Sequence, residues 1–320
     1  MLVSRRFSVR KDLKVNEKVQ KYMVCRLEGS LDKDRTNEIS RWGRDCTYPR
    51  MRALLGGKRA RALDLLNYGL AMVDDELDLS DDPLGGLRYF QGMFQQSYSG
   101  ASLVPSTQTE QAVVDLGCAL NELVSAPILR FADRAAGRRA YEDVLSFWKM
   151  EERNFQRKGR VLDRATLDEI NSGIGAFVAS QFLYLLDSPR VFNEFAQLAQ
   201  TYGLAVKLAD NLCDFREDIS RGFVNIPQED IHQVSGISIE DGRVIQVEPE
   251  KLALSGEYVD EEHQRIEGMF ASADRLMLFA RARRPIWAKG LDERLCLFGQ
   301  FCHSWLDQAR DFSRVDKGGK

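Results

Sequence analysis

The chain has 320 residues, of which 44% are hydrophobic and 29% charged, a balance that is typical of folded globular proteins and excludes a disordered chain. Its 45 Lys and Arg against 48 Asp and Glu leave a formal net charge of −3, so no overall positive field exists to recruit nucleic acid. No apolar run reaches the ~18–20 residues that span a bilayer, and the first residues lack the apolar stretch of a signal peptide. We therefore expect a cytoplasmic protein that does not bind nucleic acid.

Several common catalytic chemistries lack their motifs in this sequence. The six cysteines and three histidines are scattered, without a C-x-x-C pair or the spacing of a zinc site. Neither G-x-S-x-G nor G-x-x-x-x-G-K-[ST] occurs, which argues against an α/β-hydrolase and a P-loop enzyme. The acidic residues carry more information.

Apolar residues recur at three- and four-residue spacing through most of the chain, whereas alternating strand patterns are scarce. The pattern predicts an all-α protein with helices near 11–28, 36–55, 58–79, 83–98, 107–133, 137–156, 163–186, 189–220, 258–283 and 290–313. Pro49 and Pro127 fall inside two of these helices, where they would kink or split them.

Residues 236–256 form the one stretch with an Ile and Val pattern typical of extended structure, and we expect a loop or a short hairpin there. No repeat, linker or shift in composition divides the chain. We therefore predict a single domain over 1–320, with loose tails at about 1–10 and 314–320.

Two acidic clusters lie on predicted helices. In the first, 74–78, Asp74 and Asp78 are one helical turn apart and share a face, with Asp75 beside them. In the second, Asp210, Asp214 and Asp218 follow one another at four-residue spacing along one face.

Like charges at this spacing destabilise an isolated helix by ~0.2–0.5 kcal/mol per pair, so a compensating charge is expected. Most acidic pairs are simply solvated helix faces, and we interpret Asp81 and Asp82 that way. The second row is flanked by apolar residues, which makes solvation a poor explanation. Magnesium binds a few carboxylates and leaves its other positions to water and phosphate oxygens. The two rows therefore predict a magnesium site.

The segment 203–227 resembles the second signature of the squalene and phytoene synthase branch of the all-helical isoprenoid synthases, D-x-x-E-D-x-x-R-G followed by a proline. Here Asp214, Glu217, Asp218 and Arg221 occupy the signature, and Pro227 follows. The cluster 74–78 is similar to the first signature of that family. Thr47-Tyr48 and Leu54-Leu55 stand where the family carries Ser-Phe and Leu-Leu. The resemblance covers roughly residues 40 to 310.

The resemblance implies a single-domain helical bundle around a central substrate cavity. Two or three Mg²⁺ ions, or Mn²⁺ in their place, would bind a prenyl diphosphate, farnesyl or geranylgeranyl, between the two acidic rows. The implied metal ligands are Asp74, Asp75, Asp78, Asp210, Asp214 and Asp218. The implied catalytic residues are Asp74, Asp78, Asp214, Asp218 and Arg221. Arg221, Lys207, Arg216 and Thr47 are the diphosphate-binding candidates.

The resemblance also implies a substrate pocket lined by Ser172, Gly173, Ala176, Phe177, Asn67 and Ala71. For the small residues the alternative is tight packing between helices, and for Phe177 it is an ordinary place in the core. An oily product would favour peripheral contact with a membrane, although a frayed, solvated N-terminus is the simpler interpretation of the basic first residues.

The sequence departs from the family at positions that bear on the reaction. Asn67 and Ala71 replace a Tyr and an Arg, Asp210 and Cys213 replace an Asn and an Arg, and Ser172 stands where the family has a Tyr. Head-to-head coupling of two prenyl diphosphates needs cationic side chains for two anions, and here two arginines are missing.

Three functions therefore remain open. The family favours coupling by a prenyltransferase such as squalene or phytoene synthase. The replaced residues favour a terpene synthase or cyclase that ionises one substrate, and the spacing of Asp210, Asp214 and Asp218 is similar to a metal-binding triad of terpene cyclases. The third function is that of a non-catalytic relative acting as a binding protein, against which the retained aspartates argue.

Overall fold

The structure is a computed structural model. It describes residue 55, residues 57–186 and 192–282, and the part of 295–310 that remains without 301, 304 and 308. The predicted helix 11–28, the predicted helix 36–55 except its last residue, and the tails 1–10 and 314–320 lie outside the described residues.

The described residues form helices joined by short connections, with a small β-region near residue 240. The α-helices are α1 (Gly57–Asp78), α2 (Pro83–Tyr98), α3 (Gln108–Val124), α4 (Phe131–Gln156), α5 (Arg164–Leu186), α6 (Phe192–Cys213), α7 (Phe215–Ser220) and α8 (Gly256–Ala282). Short 3₁₀ turns cover Ile128–Arg130, Gln228–Gln233 and Pro249–Lys251. The described residues between 295 and 310 are also helical. The predicted all-α fold is confirmed.

Local signals in the sequence explain where two of the helices begin. At α2 the carboxylate of Asp82 accepts a hydrogen bond from the Gly85 amide at 2.9 Å, and Pro83 occupies the first turn. At α3 the Thr107 hydroxyl accepts from the Glu110 amide while the Glu110 carboxylate accepts from the Thr107 amide. This reciprocal capping box satisfies two backbone donors that the helix itself leaves free.

The predicted helix 107–133 is split in the structure, which is one of the two outcomes expected of Pro127 inside it. Helix α3 ends at Val124, a 3₁₀ turn follows, and α4 begins at Phe131 rather than at 137. Pro127 lies at the break, because proline lacks the amide hydrogen that a continuing helix needs and its ring clashes with the preceding turn.

The core is built from helices that pack along their lengths, with α5 against α4 and α6, α3 against α1 and α2, and α8 against α6. Helices α5 and α6 approach each other so closely that an added Cβ on Gly175 would lie 2.0 Å from the Gly203 carbonyl oxygen. Large side chains, including Trp148, Tyr202 and Phe298, are fully buried between the helices. This packing fixes the relative positions of the acidic helix ends.

The segment 236–256 contains the predicted hairpin. Strands β1 (Val234–Ser235), β2 (Ile237–Glu240), β3 (Arg243–Val247) and β4 (Ala253–Leu254) form two antiparallel pairs, β1 with β4 and β2 with β3. The turn between β2 and β3 is Asp241-Gly242, and both residues have positive φ, which is the conformation that a two-residue hairpin turn favours.

Within the described ranges, no helix combines the length and the apolarity that crossing a membrane requires.

Candidate functional site

The first acidic row lies on the last turn of α1, which ends at Asp78. Asp74 is exposed and Asp75 is half-buried. The Asp78 side chain is 16% exposed. Asp75 and Asp78 are therefore better shielded from solvent than Asp74, and Asp78 lies where the helix gives way to a loop.

The second row crosses a helix boundary that the sequence did not predict. The predicted helix 189–220 is wrong as one element, because α6 ends at Cys213 and α7 begins at Phe215. The four-residue hydrogen bonds nevertheless continue across the break, from the Asp214 amide to the Asp210 carbonyl and from the Asp218 amide to the Asp214 carbonyl, both at 2.9 Å. Asp210, Asp214 and Asp218 therefore remain at successive turns of one row.

Arg221 connects the two rows. Its Nη1 donates to Asp78 Oδ2 at 2.6 Å, and its Nη2 lies 2.8 Å from Glu217 Oε1. The backbone amide of Arg221 closes the end of α7 on the Asp218 and Glu217 carbonyls. Arg221, three residues after Asp218, thus links the end of the second row to the end of the first.

Lys207 and Glu151 extend this cluster inward. Lys207 Nζ donates to Asp210 Oδ2 at 2.7 Å. Burial alone would lower the pKa of Lys207, but the carboxylates of Asp210, Asp218 and Glu151 outweigh burial and hold the pKa above its ordinary value. Lys207 is therefore a fixed positive charge inside the acidic cluster.

Glu151, from α4, is buried and faces both Lys207 and Asp78. Burial raises the pKa of Glu151, the negative charge of Asp78 raises it further, and Lys207 opposes both effects. The pKa of Asp218 is also raised, by burial and by Asp210, against the opposing effects of Lys207, Asn225 and Arg157. Several carboxylates thus compete for few cations here, and a divalent cation would relieve that competition.

Arg157 and Asn225 lie behind Asp218. Asn225 Nδ2 donates to Asp218 Oδ2 at 2.7 Å, and Arg157 Nη2 donates to Asn225 Oδ1 at 2.5 Å. Arg157 Nη1 also donates to the Val224 carbonyl at 2.9 Å. These contacts join α4, the segment after α7 and the second acidic row.

Sequence reasoning missed Glu151, Arg157 and Asn225. The first two belong to the charged run 149–158, which covers the end of α4 and the two residues after it. The buried and the exposed members of this run are chemically alike. Spacing along the helix relative to buried Trp148 and Phe155 is the signal that could have separated Glu151 from exposed Lys149. Asn225 lies within the signature segment, but nothing local indicates that its partners are Arg157 and Asp218.

The other site residues predicted from the sequence lie in different environments. Thr47 lies outside the described residues. Arg216 is exposed, and its guanidinium lies 6.0 Å from the centre of the Phe215 ring. On α1, Ala71 is half-buried and Asn67 Nδ2 donates to the Leu63 carbonyl at 2.9 Å.

On α5, Ser172 and Ala176 are half-buried, and the buried ring of Phe177 stacks on Phe147 with 4.5 Å between centroids. An added Cβ on Gly173 would lie 2.5 Å from Met150 Cγ. The small residues of α5 thus serve the tight packing of helices at both Gly173 and Gly175.

The acidic side chains do not form a metal site in their present arrangement. Among the residues that the structure describes, no group of three or more His, Cys, Asp or Glu side chains is arranged so that it could hold a metal ion. Asp78 and Asp210 instead bind Arg221 and Lys207, and Asp218 binds Asn225. The oxygen donors are of the kind that magnesium prefers, so the chemistry of the site fits the ion once these partners are exchanged.

Comparison with known proteins identifies the fold. No family model matches the sequence, and no curated protein matches it. Among solved structures, linalool/nerolidol synthase from Streptomyces clavuligerus superposes with a TM-score of 0.55 at 16% identity, over 79% of this chain and 83% of that one. Its complex with 2-fluorogeranyl diphosphate gives 0.56 at 14% identity, over 91% and 94%. A variant of cucumene synthase gives 0.52 at 11% identity, over 94% of both chains.

The chain has the class I isoprenoid synthase fold. At these identities the likeness establishes the fold alone. The three solved structures named above are terpene synthases by their names.

Proposed function

We propose that this chain is a magnesium-dependent terpene synthase that ionises one allylic prenyl diphosphate. The observation that carries the proposal is the contact between Asp78 and Arg221, because it joins the ends of two acidic rows. The terpene synthase fold of the neighbours supports the proposal. One of those neighbours was solved with 2-fluorogeranyl diphosphate.

In this proposal the metal ligands are Asp74, Asp75 and Asp78 from α1, and Asp210, Asp214 and Asp218 from the second row. Bound magnesium would stabilise the negative charge that develops on the departing diphosphate. Asp78 and Asp210 would then exchange Arg221 and Lys207 for the ion. These two cations would thereby become available to the diphosphate oxygens.

Arg221 and Lys207 have different parts in holding the diphosphate. The Arg221 guanidinium already bridges two carboxylates, and the same planar group suits two oxygens of a diphosphate. Lys207 is kept protonated by the surrounding acids, so it supplies a permanent charge deeper in the site. Both residues favour departure of the anion and leave the allylic cation in the interior.

The isoprenoid tail would lie against Ser172, Gly173, Ala176, Phe177, Asn67 and Ala71. We propose that the whole chain, 1–320, forms one domain around this pocket. Apolar and aromatic walls would exclude water from the cation until it cyclises or is quenched.

The balance of charge favours one substrate over two. Asn67, Ala71 and Cys213 are uncharged where the resembling family has an aromatic residue and two arginines, and Asp210 adds a carboxylate. Since each diphosphate needs cations to offset it, the residues present suit a single diphosphate. This argument and the terpene synthase neighbours together favour single-substrate chemistry over coupling.

Product analysis tests the proposal. The purified chain is incubated with geranyl, farnesyl and geranylgeranyl diphosphates and Mg²⁺, while diphosphate release and organic products are measured. A monomeric terpene with stoichiometric diphosphate is the expected result. A hydrocarbon of doubled length would overturn the single-substrate proposal in favour of coupling. Absence of turnover with all three substrates would favour the non-catalytic binding protein.

A further inference from the structure

The side chain of Asp218 is held by residues from other parts of the chain. Asn225 Nδ2 is 2.7 Å from Asp218 Oδ2, seven residues earlier. Arg157 Nη2 is 2.5 Å from Asn225 Oδ1, across 68 residues of sequence. Asp218 therefore has one oxygen fixed by an amide whose own orientation depends on an arginine.

The chemistry of arginine makes this orientation unambiguous. A guanidinium only donates hydrogen bonds, so the Asn225 atom that faces Arg157 must be the oxygen. The amide nitrogen then has to face Asp218, where it can only donate. Arg157 thus determines which end of the Asn225 amide meets the carboxylate.

Arg157 itself has little freedom to move. It is 5% exposed, and its Nε donates to Asn154 Oδ1 at 2.8 Å while its Nη1 donates to the Val224 carbonyl at 2.9 Å. Its guanidinium also lies 5.7 Å from the centre of the Phe223 ring. Burial lowers the pKa of Arg157 to about 10, with Asp218 and Glu151 opposing the shift, so Arg157 is charged at neutral pH.

We propose that Arg157 and Asn225 are positioning residues that orient the Asp218 carboxylate for metal binding. The inference rests on the proposed function, in which Asp218 is a metal ligand. Because the carboxylate is rigid, the hydrogen bond from Asn225 to Oδ2 also fixes the direction of the other oxygen of Asp218. Residues that hold a metal ligand in this way commonly change metal affinity by about 10- to 100-fold when they are removed.

Direct metal binding tests the proposal without relying on turnover. Mn²⁺ binding to the full-length protein is measured by calorimetry in the presence of inorganic pyrophosphate, for the wild type and for Asp218→Asn, Asn225→Ala and Arg157→Lys. We expect Asn225→Ala to weaken Mn²⁺ binding by about 10- to 100-fold. Arg157→Lys keeps the charge but loses the forked geometry of the guanidinium, and we expect it also to weaken Mn²⁺ binding.

Arg153→Met is the matched control. Arg153 lies on the last turn of α4, four residues before Arg157, but it pairs with exposed Glu169 at 2.6 Å and not with Asn225. Its removal should leave Mn²⁺ affinity within about twofold of the wild type, a change worth only ~0.4 kcal/mol. The rise in unfolding temperature on adding Mn²⁺ and pyrophosphate gives a second measurement for every variant.

A purely structural role would lower the metal-free unfolding temperature and leave the Mn²⁺ affinity unchanged. The positioning role is overturned if Asn225→Ala binds Mn²⁺ like the wild type while Asp218→Asn does not. If the wild type fails to bind Mn²⁺, the proposed function fails and takes this inference with it. Should Asn225→Ala not fold, Arg157→Lys decides by the same comparison.

Discussion

Arg221 and Asp78 are separated by 143 residues, yet Nη1 of the arginine lies 2.6 Å from Oδ2 of the aspartate. This ion pair joins the C-terminal end of α1 to the residue that follows α7. The Arg221 side chain is 46% exposed and that of Asp78 is 16% exposed, so the pair lies at the entrance to the acidic cluster. An exposed pair of this kind adds little to stability, at most ~1 kcal/mol, and its position makes it functionally informative.

The aspartates of the two rows should be needed for turnover but not for folding. We expect Asp78→Asn and Asp218→Asn each to lower kcat by more than about 100-fold, because each variant loses a charged oxygen ligand of the metal. Removing a residue that only hydrogen-bonds a metal ligand already lowers activity by about 10- to 100-fold. Diphosphate release measures turnover, and circular dichroism measures the fold. Exposed Asp81 supplies the control variant, Asp81→Asn. Full activity in both row variants would contradict the metal assignments.

Arg221 should contribute more to catalysis than its neighbour Arg216. We expect Arg221→Met to lower kcat/KM by about 10- to 100-fold, since a hydrogen bond to a charged group is worth ~1.5–3 kcal/mol. Arg216→Met should have a smaller effect, because the Arg216 side chain is exposed over the Phe215 ring. Steady-state kinetics of diphosphate release compare the two variants. Equal losses would argue against a leading role for Arg221.

Asp143 should make stability depend on pH. Burial raises the pKa of Asp143 from 3.8 to about 6, against the opposing effects of Arg139 and Ser180. The folded state therefore binds more protons than the unfolded state between these values, and the free energy of unfolding falls as pH rises through this window. At neutral pH the cost is roughly 3 kcal/mol at most.

Asp143→Asn should remove that cost. We expect the variant to exceed the wild type by about 1–3 kcal/mol in free energy of unfolding at pH 8, with the difference shrinking towards pH 4. Urea unfolding at several pH values measures the effect. Glu142→Gln, at the exposed neighbouring acid, keeps Asp143 and should therefore follow the pH dependence of the wild type closely. A destabilised Asp143→Asn at pH 8 would show that the charged pair with Arg139 outweighs burial.

The close approach of α5 and α6 should not tolerate a side chain at Gly175. An alanine there would place Cβ 2.0 Å from the Gly203 carbonyl oxygen, and overpacking of this kind costs ~1–3 kcal/mol or more. Gly268, in the middle of α8, has no neighbouring atom within 4 Å of an added Cβ. Gly268→Ala should therefore stabilise the protein by ~1 kcal/mol through helix propensity. Thermal unfolding of the two variants should shift in opposite directions.

Helix positions were largely predictable because the apolar period is a local property. The predicted helices 58–79, 83–98 and 163–186 agree with α1, α2 and α5 to within one residue at each end. The proline itself indicates the break at Pro127, whereas the break at Asp214 lies inside a continuing apolar pattern. A periodic pattern continues through a break of one residue, so it does not reveal such a break.

The sequence by itself determined the helical class, a loop or short hairpin within 236–256 and the two acidic rows, because each depends on residues within a few positions of one another. Only the tertiary structure decided that Asp78 meets Arg221, that Glu151 faces the acids, and that Arg157 binds the Asn225 amide that in turn binds Asp218. Those partners come from helices far apart in sequence. Which charged side chain is buried against which other depends on how the helices pack, and helical period alone does not contain that information.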